Sequence, residues 1–129
     1  MKNASKLLFL LLIALSMGCK KQTVGLNEEF TLDFNKSATV KAGGDKIRIK
    51  FNKLVEESRC PPNTECVWAG EVAVRIQLDG ESKSTIGFHS AYLSGVEYKD
   101  HIIQLLEVNY DGPGNYGKES HYSIRLKVK

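Results

Sequence analysis

Residues 57–70 read ESRCPPNTECVWAG. Cys60 and Cys66 stand six positions apart with Pro61 and Pro62 between them, and the chain's one tryptophan, Trp68, follows. On both sides the sequence alternates between apolar and polar residues, the signature of a strand with one buried face. The stretch reads as a disulfide-stapled loop at the edge of a β-fold, with Trp68 packed beneath it as the anchor. Closing Cys60 onto Cys66 makes a ring of seven residues, for which chain entropy gives about 2.4 kcal/mol at most. The prolines remove further freedom from the unfolded chain. A loop that is rigid before a partner arrives loses less entropy on binding, so Arg59, Pro61, Pro62, Asn63 and Trp68 form a candidate binding surface. The blander use of the same residues is to plug one end of the fold.

Outward from the loop, Ile47, Ile49 and Phe51 alternate with Arg48, Lys50 and Asn52 on the N-terminal side. Period two with one apolar face describes a strand half-buried in an antiparallel sheet. The alternation slips near Lys53-Leu54-Val55, which predicts a bulge. Farther back, Phe30, Leu32 and Phe34 mark an earlier strand, and Gly43-Gly44-Asp45 a turn. On the C-terminal side Val72, Val74, Ile76 and Leu78 alternate up to Asp79-Gly80, a hairpin signal. Ile102–Tyr110 reads as a central strand, residues 111–120 as a long connection, and Tyr122, Ile124, Leu126 and Val128 as the last strand. Residues 90–100 are compatible with a loop, a short helix or an irregular edge strand. The fold class is all-β, a single antiparallel β-sandwich of about six to eight strands, Ig-like, with one stapled loop.

The N-terminus carries an export signal. Lys2 and Lys6 precede the apolar run Leu7–Leu15, too short to cross a ~30 Å hydrocarbon core that takes about 20 residues. Ser16-Met17-Gly18-Cys19 follows. It resembles the lipobox of bacterial lipoproteins, where cleavage before the cysteine precedes its acylation, although Ser16 stands where an aliphatic residue is usual. Residues 1–18 are thus expected to be a lipoprotein signal peptide, 19–27 the lipidated Cys19 and a short tether, and 28–129 the sandwich. Cysteine arithmetic agrees. Three cysteines in an exported chain leave one over, and acylation of Cys19 leaves Cys60 and Cys66 as a pair in a compartment where disulfides persist. Lys20 beside the cysteine points to the outer membrane by resemblance to sorting signals.

Without Lys2 and Lys6, the 18 basic residues become 16, against 15 acidic ones. A near-neutral mature chain gives no net electrostatic footprint for nucleic acid, and no nucleic-acid partner is expected. The C-x5-C spacing matches neither zinc knuckles nor thiol oxidoreductases. His89, His101 and His121 read as scattered surface residues. No nucleophile elbow, P-loop or dinucleotide fingerprint occurs, so neither an enzymatic activity nor a metal or cofactor is expected. Tyr110 and Tyr122 fall on core positions of the alternation. Tyr92, Tyr98 and Tyr116 lie in loop-like sequence, where aromatic rings often anchor partners, and they join the candidate surface.

The segment around the loop resembles a group of small bacterial envelope lipoproteins that share a strand, an RCP-x4-C-x-WAG loop and another strand. Arg59, Cys60, Pro61, Cys66, Trp68, Ala69 and Gly70 carry the match, with Glu57 as the preceding acidic residue. The resemblance brings no catalytic residues with it. The expectation is a membrane-anchored, non-enzymatic envelope lipoprotein that binds or supports another envelope component. The alternative is a periplasmic inhibitor of a hydrolase, such as a protease or lysozyme, that presents the rigid loop.

Overall fold

The alternating stretches pair into two sheets packed face to face. A computed structural model describes residues 22–129; the signal segment and Cys19 lie outside the described residues. The strands are β1 (Gln22–Gly25), β2 (Glu29–Asp33), β3 (Ser37–Ala42), β4 (Asp45–Glu57), β5 (Val72–Leu78), β6 (Ser82–Phe88), β7 (Gly95–Tyr98), β8 (His101–Tyr110) and β9 (Tyr122–Val128). One sheet has the order β1-β3-β4-β5-β6 and the other β2-β9-β8-β7. The described residues therefore form an all-β sandwich, with nine strands among them where about six to eight were expected. The shortest strands, β1 and β7, are four residues each.

The core lies between the sheets and is made by one parity of each strand. Ile47, Ile49 and Phe51 from β4, Val74, Ile76 and Leu78 from β5, and Ile124, Leu126 and Val128 from β9 are all but inaccessible to solvent. Burying each of these side chains stabilises the fold by roughly 1.5–3 kcal/mol relative to exposure. Ile103, Leu105 and Val108 of β8 join them from the interior of the smaller sheet.

One expectation changes. Residues 22–25 are not tether but strand: β1 pairs in parallel with β3, Thr23 opposite Thr39 and Val24 opposite Val40. Val24 is buried in the core, and one apolar side chain in four residues is too little for alternation to be read. The sheet is thus antiparallel except at this edge. Residues 90–100 resolve into a loop followed by the edge strand β7, which pairs with β8. The slip near Lys53 is real, with register shifts between Phe51 and Lys53 and between Leu54 and Glu56.

Strand directions put the loop of residues 58–71, the β6–β7 loop and the β8–β9 connection at one end of the sandwich. The turns at Gly43-Gly44, Asp79-Gly80 and Lys99-Asp100 occupy the other. Asp79 and Gly80 both have positive φ, 52° and 75°, the backbone that two-residue hairpins require.

Candidate functional site

Glu57, the last residue of β4, organises the stapled loop. It lies on the inward parity, opposite Val72, and its side chain is only 5% exposed. A carboxylate so placed needs several partners. Arg59 supplies most of them: its Nε donates to Glu57 Oε1 at 2.9 Å and its Nη2 to Oε2 at 2.6 Å, a bidentate pair. Tyr122 at the start of β9 donates its hydroxyl to Oε2 at 2.8 Å. Arg59 also reaches across the sandwich, where Nη1 donates to the carbonyl of Val108 in β8 at 2.8 Å. One carboxylate and one guanidinium thereby stitch the two sheets together beneath the loop.

Aromatic rings enclose this pair. Tyr110 packs against Tyr122 with centroids 5.2 Å apart and meets Tyr116 edge to face at 5.8 Å. The Arg59 guanidinium sits 6.0 Å from the Tyr110 centroid. The Tyr116 hydroxyl donates to the Arg59 carbonyl, and the Gly117 amide donates to the Tyr122 hydroxyl at 2.8 Å. Burial, opposed in part by that amide and reinforced by Glu57, pushes the Tyr122 phenol up to about 12. Hydrogen bonding to Glu57 raises the Arg59 guanidinium further still, against the cost of its burial.

The neck of the loop is pinned separately. The Ser58 amide donates to the Glu71 carbonyl at 2.8 Å and the Glu71 amide to Ser58 Oγ at 2.9 Å. Trp68 Nε1 donates to the Ser58 carbonyl at 2.9 Å. Gly70 passes so close that a Cβ there would stand 2.1 Å from the Ser58 oxygen, so only glycine fits. Beyond the neck, Cys60 and Cys66 are bonded, with Cα atoms 5.8 Å apart. Asn63 takes the left-handed turn at φ 59°. Glu57, Ser58, Arg59, Trp68 and Gly70 are thus parts of one clamp, and the projecting tip is left to Pro61, Pro62, Asn63, Thr64, Glu65 and Val67.

Trp68 does not pack beneath the loop. The residue is 55% exposed and neighbouring Val67 is fully exposed. With its N–H held by the Ser58 carbonyl, the indole has its polar edge fixed while much of its surface stays in water. Sequence alone gives no sign of which way such a ring turns, because the deciding acceptor is a backbone oxygen.

The loop tyrosines do not form one surface. Tyr92 donates to Glu56 Oε2 at 2.5 Å at the loop end, and Tyr116 braces Arg59. Tyr98 lies at the opposite end, its hydroxyl donating to Asp79 Oδ2 at 2.7 Å, so it leaves the candidate surface. The histidines are also spread: His121 Nδ1 contacts Asp111 at 2.8 Å at the loop end, and His101 lies beside the Lys129 carbonyl at the other. Glu57, Ser58 and Tyr122 carry the clamp without having been singled out for that role; their partners lie up to 65 positions away. Comparison with family models, characterised proteins and solved structures finds no match to this chain.

Proposed function

We propose that the protein is a lipid-anchored, non-enzymatic binding module of the bacterial envelope that presents the stapled loop to a protein partner. The observation that carries this reading is a contradiction within one short segment. The loop is pinned at its neck, through Arg59 and by the disulfide, yet Val67 and Trp68 stand in solvent at its tip and shoulder. Rigid, exposed apolar side chains beside a conformationally fixed turn are what an interface anchor requires. The signal sequence, Cys19 and the resemblance of the RCP-x4-C-x-WAG loop to envelope lipoproteins support the anchor and the compartment.

A photo-crosslinking residue at Val67, introduced in cells, tests the partner. A discrete protein adduct that Trp68→Ala weakens, and that the same probe at Lys127 does not give, is the expected result. No adduct at Val67 overturns the reading. The preformed turn at Pro62-Asn63 also favours a second one, inhibition of a hydrolase. A protease or lysozyme as the adduct, inhibited by the purified protein at micromolar concentration, identifies that case.

A further inference from the structure

We propose that the outer face of the five-stranded sheet docks on the headgroups of an anionic phospholipid bilayer. The outward parity of that sheet is cationic. β4 contributes Lys46, Arg48 and Lys50, with Lys41 on β3 and Lys83 on β6 to either side. Lys53 and Arg75 form a further pair nearer the stapled loop. The other outward positions are mostly threonine, serine and glutamine, and Glu56, latched by Tyr92, is the one carboxylate of this parity in β3 to β6. The remaining acids near the face lie at its margins: exposed Asp45 at the start of β4, Asp79, held by Tyr98 and Lys99, exposed Glu81, and Glu71, which accepts from Ser90.

The register makes the arrangement costly for folding. Lys41 stands directly opposite Lys46, and Lys53 opposite Arg75; like charges placed so are destabilising. Among the described residues none of these side chains forms an ion pair. A face built only for solubility has no need of this, as the other sheet demonstrates. There Glu107 lies opposite Arg125 and Glu29 opposite Lys127, and Arg125 bridges Glu29 and Glu107 at 2.8 and 2.9 Å. The near-neutral total therefore averages two faces of different character.

Shape and tether select the partner. The face is broad and pleated rather than a narrow cleft, and its depression of about 350 Å³, lined by Arg48, Lys50, Gln77, Asp79 and Gly80, has room for a phosphodiester between two cations. No aromatic side chain occupies its outward parity in β3 to β6, so the stacking platform of a single-stranded nucleic-acid binder is missing. A planar array of phosphates suits it. The chain also leads there: β1 is the edge strand of this same sheet, and its first residue, Gln22, lies three positions after Cys19. Three residues span at most about 10 Å. This last step rests on the proposed lipid at Cys19, and it keeps the bilayer within reach of the sheet that the anchor leads into.

The test uses the protein as extracted from cells, reconstituted into vesicles of phosphatidylcholine with or without phosphatidylglycerol. Brief acetylation is then read lysine by lysine by mass spectrometry. Phosphatidylglycerol is expected to protect Lys41, Lys46, Lys50 and Lys83 several-fold, with protection lost at about 1 M salt, while Lys118 and Lys127 react equally in both. In Lys46→Gln/Arg48→Gln/Lys50→Gln, docking weakens about fivefold per cation removed, and the remaining Lys41 and Lys83 lose their protection. Should the triple variant lose cooperative melting, Lys46→Gln alone gives the fivefold step. Equal acetylation in both vesicles, protection of Lys127 to the same degree, or protection by soluble heparin but not by phosphatidylglycerol overturns the proposal. Intact mass reports the lipid separately. A chain without it is added to preformed vesicles, where the same lysines answer, so loss of the anchor and loss of the docking face are distinguished.

Discussion

Both ends of the sandwich are closed by the same three groups, a tyrosine hydroxyl and a cation converging on one carboxylate. At the loop end Tyr122 and Arg59 meet on Glu57; at the hairpin end Tyr98 and Lys99 meet on Asp79, at 2.7 and 2.9 Å. Each triplet ties one sheet to the other. They differ in exposure: the Glu57 side chain is 5% exposed, while Asp79 is 28% and Lys99 43% exposed. Water screens the second triplet and would solvate its members if it opened, whereas Glu57 has nowhere else to place its charge. Similar sets of groups are therefore a clamp at one end, where Arg59 grips both carboxylate oxygens, and a latch at the other, where Lys99 meets one. The surface proposed for a partner lies at the clamped end, where the loop is held still.

Breaking the clamp gives the largest expected effect. Glu57→Ala strands the Arg59 guanidinium against Val108 and removes the acceptor of Tyr122, at a cost of about 3–5 kcal/mol in chemical denaturation. A loss under about 1 kcal/mol would mean that the two ends do not differ. The staple exists at the clamped end only, so replacing Cys60 and Cys66 with serine asks what the sulfur bridge adds to the clamp. The expected cost is about 1–3 kcal/mol with the circular dichroism spectrum kept.

Tyr122→Phe comes next, at about 1 kcal/mol near neutrality, and it changes the response to alkali. A phenol whose value rises from 10.0 to about 12 on folding stabilises the fold fully below pH 10 and loses that contribution as pH climbs towards 12. Melting temperature should fall across that window in the wild type and fall less steeply in Tyr122→Phe. Asp79→Asn, at the exposed end, is the smallest: about 0.5 kcal/mol, shrinking in high salt. An Asp79→Asn loss as large as that of Glu57→Ala would cancel the distinction drawn from burial.

How much of this was readable in advance follows from range. The strands β4, β5 and β9 were legible because alternation is local and each has at least three inward apolar residues. The hairpin at Asp79-Gly80 was legible because two adjacent residues specify it, and the Cys60–Cys66 bridge because the pair is close in sequence. β1 escaped because its partner is more than a dozen residues away and only Val24 marks its inward face. The role of Glu57 escaped because Tyr122 and Val108 reach it through the tertiary fold. The outward run Lys46, Arg48 and Lys50 was visible as alternation. That it lies beside Lys41 and Lys83, with Glu56 the one outward carboxylate of β3 to β6, becomes visible only once the strands are ordered.

The neck of the stapled loop carries a consequence for order in time. None of the hydrogen bonds that close it involves sulfur: Ser58, Glu71, Trp68 and Arg59 need only the paired ends of β4 and β5 and the approach of β8. The neck can close while the thiols are still reduced. Once closed, it brings the Cα atoms of Cys60 and Cys66 towards the 5.8 Å they keep in the bonded loop, a separation at which a disulfide forms without further backbone movement. Folding therefore chooses the partners and oxidation seals the choice. A cell that oxidises this protein late still has the neck of the loop in place, and the bridge then fixes the tip.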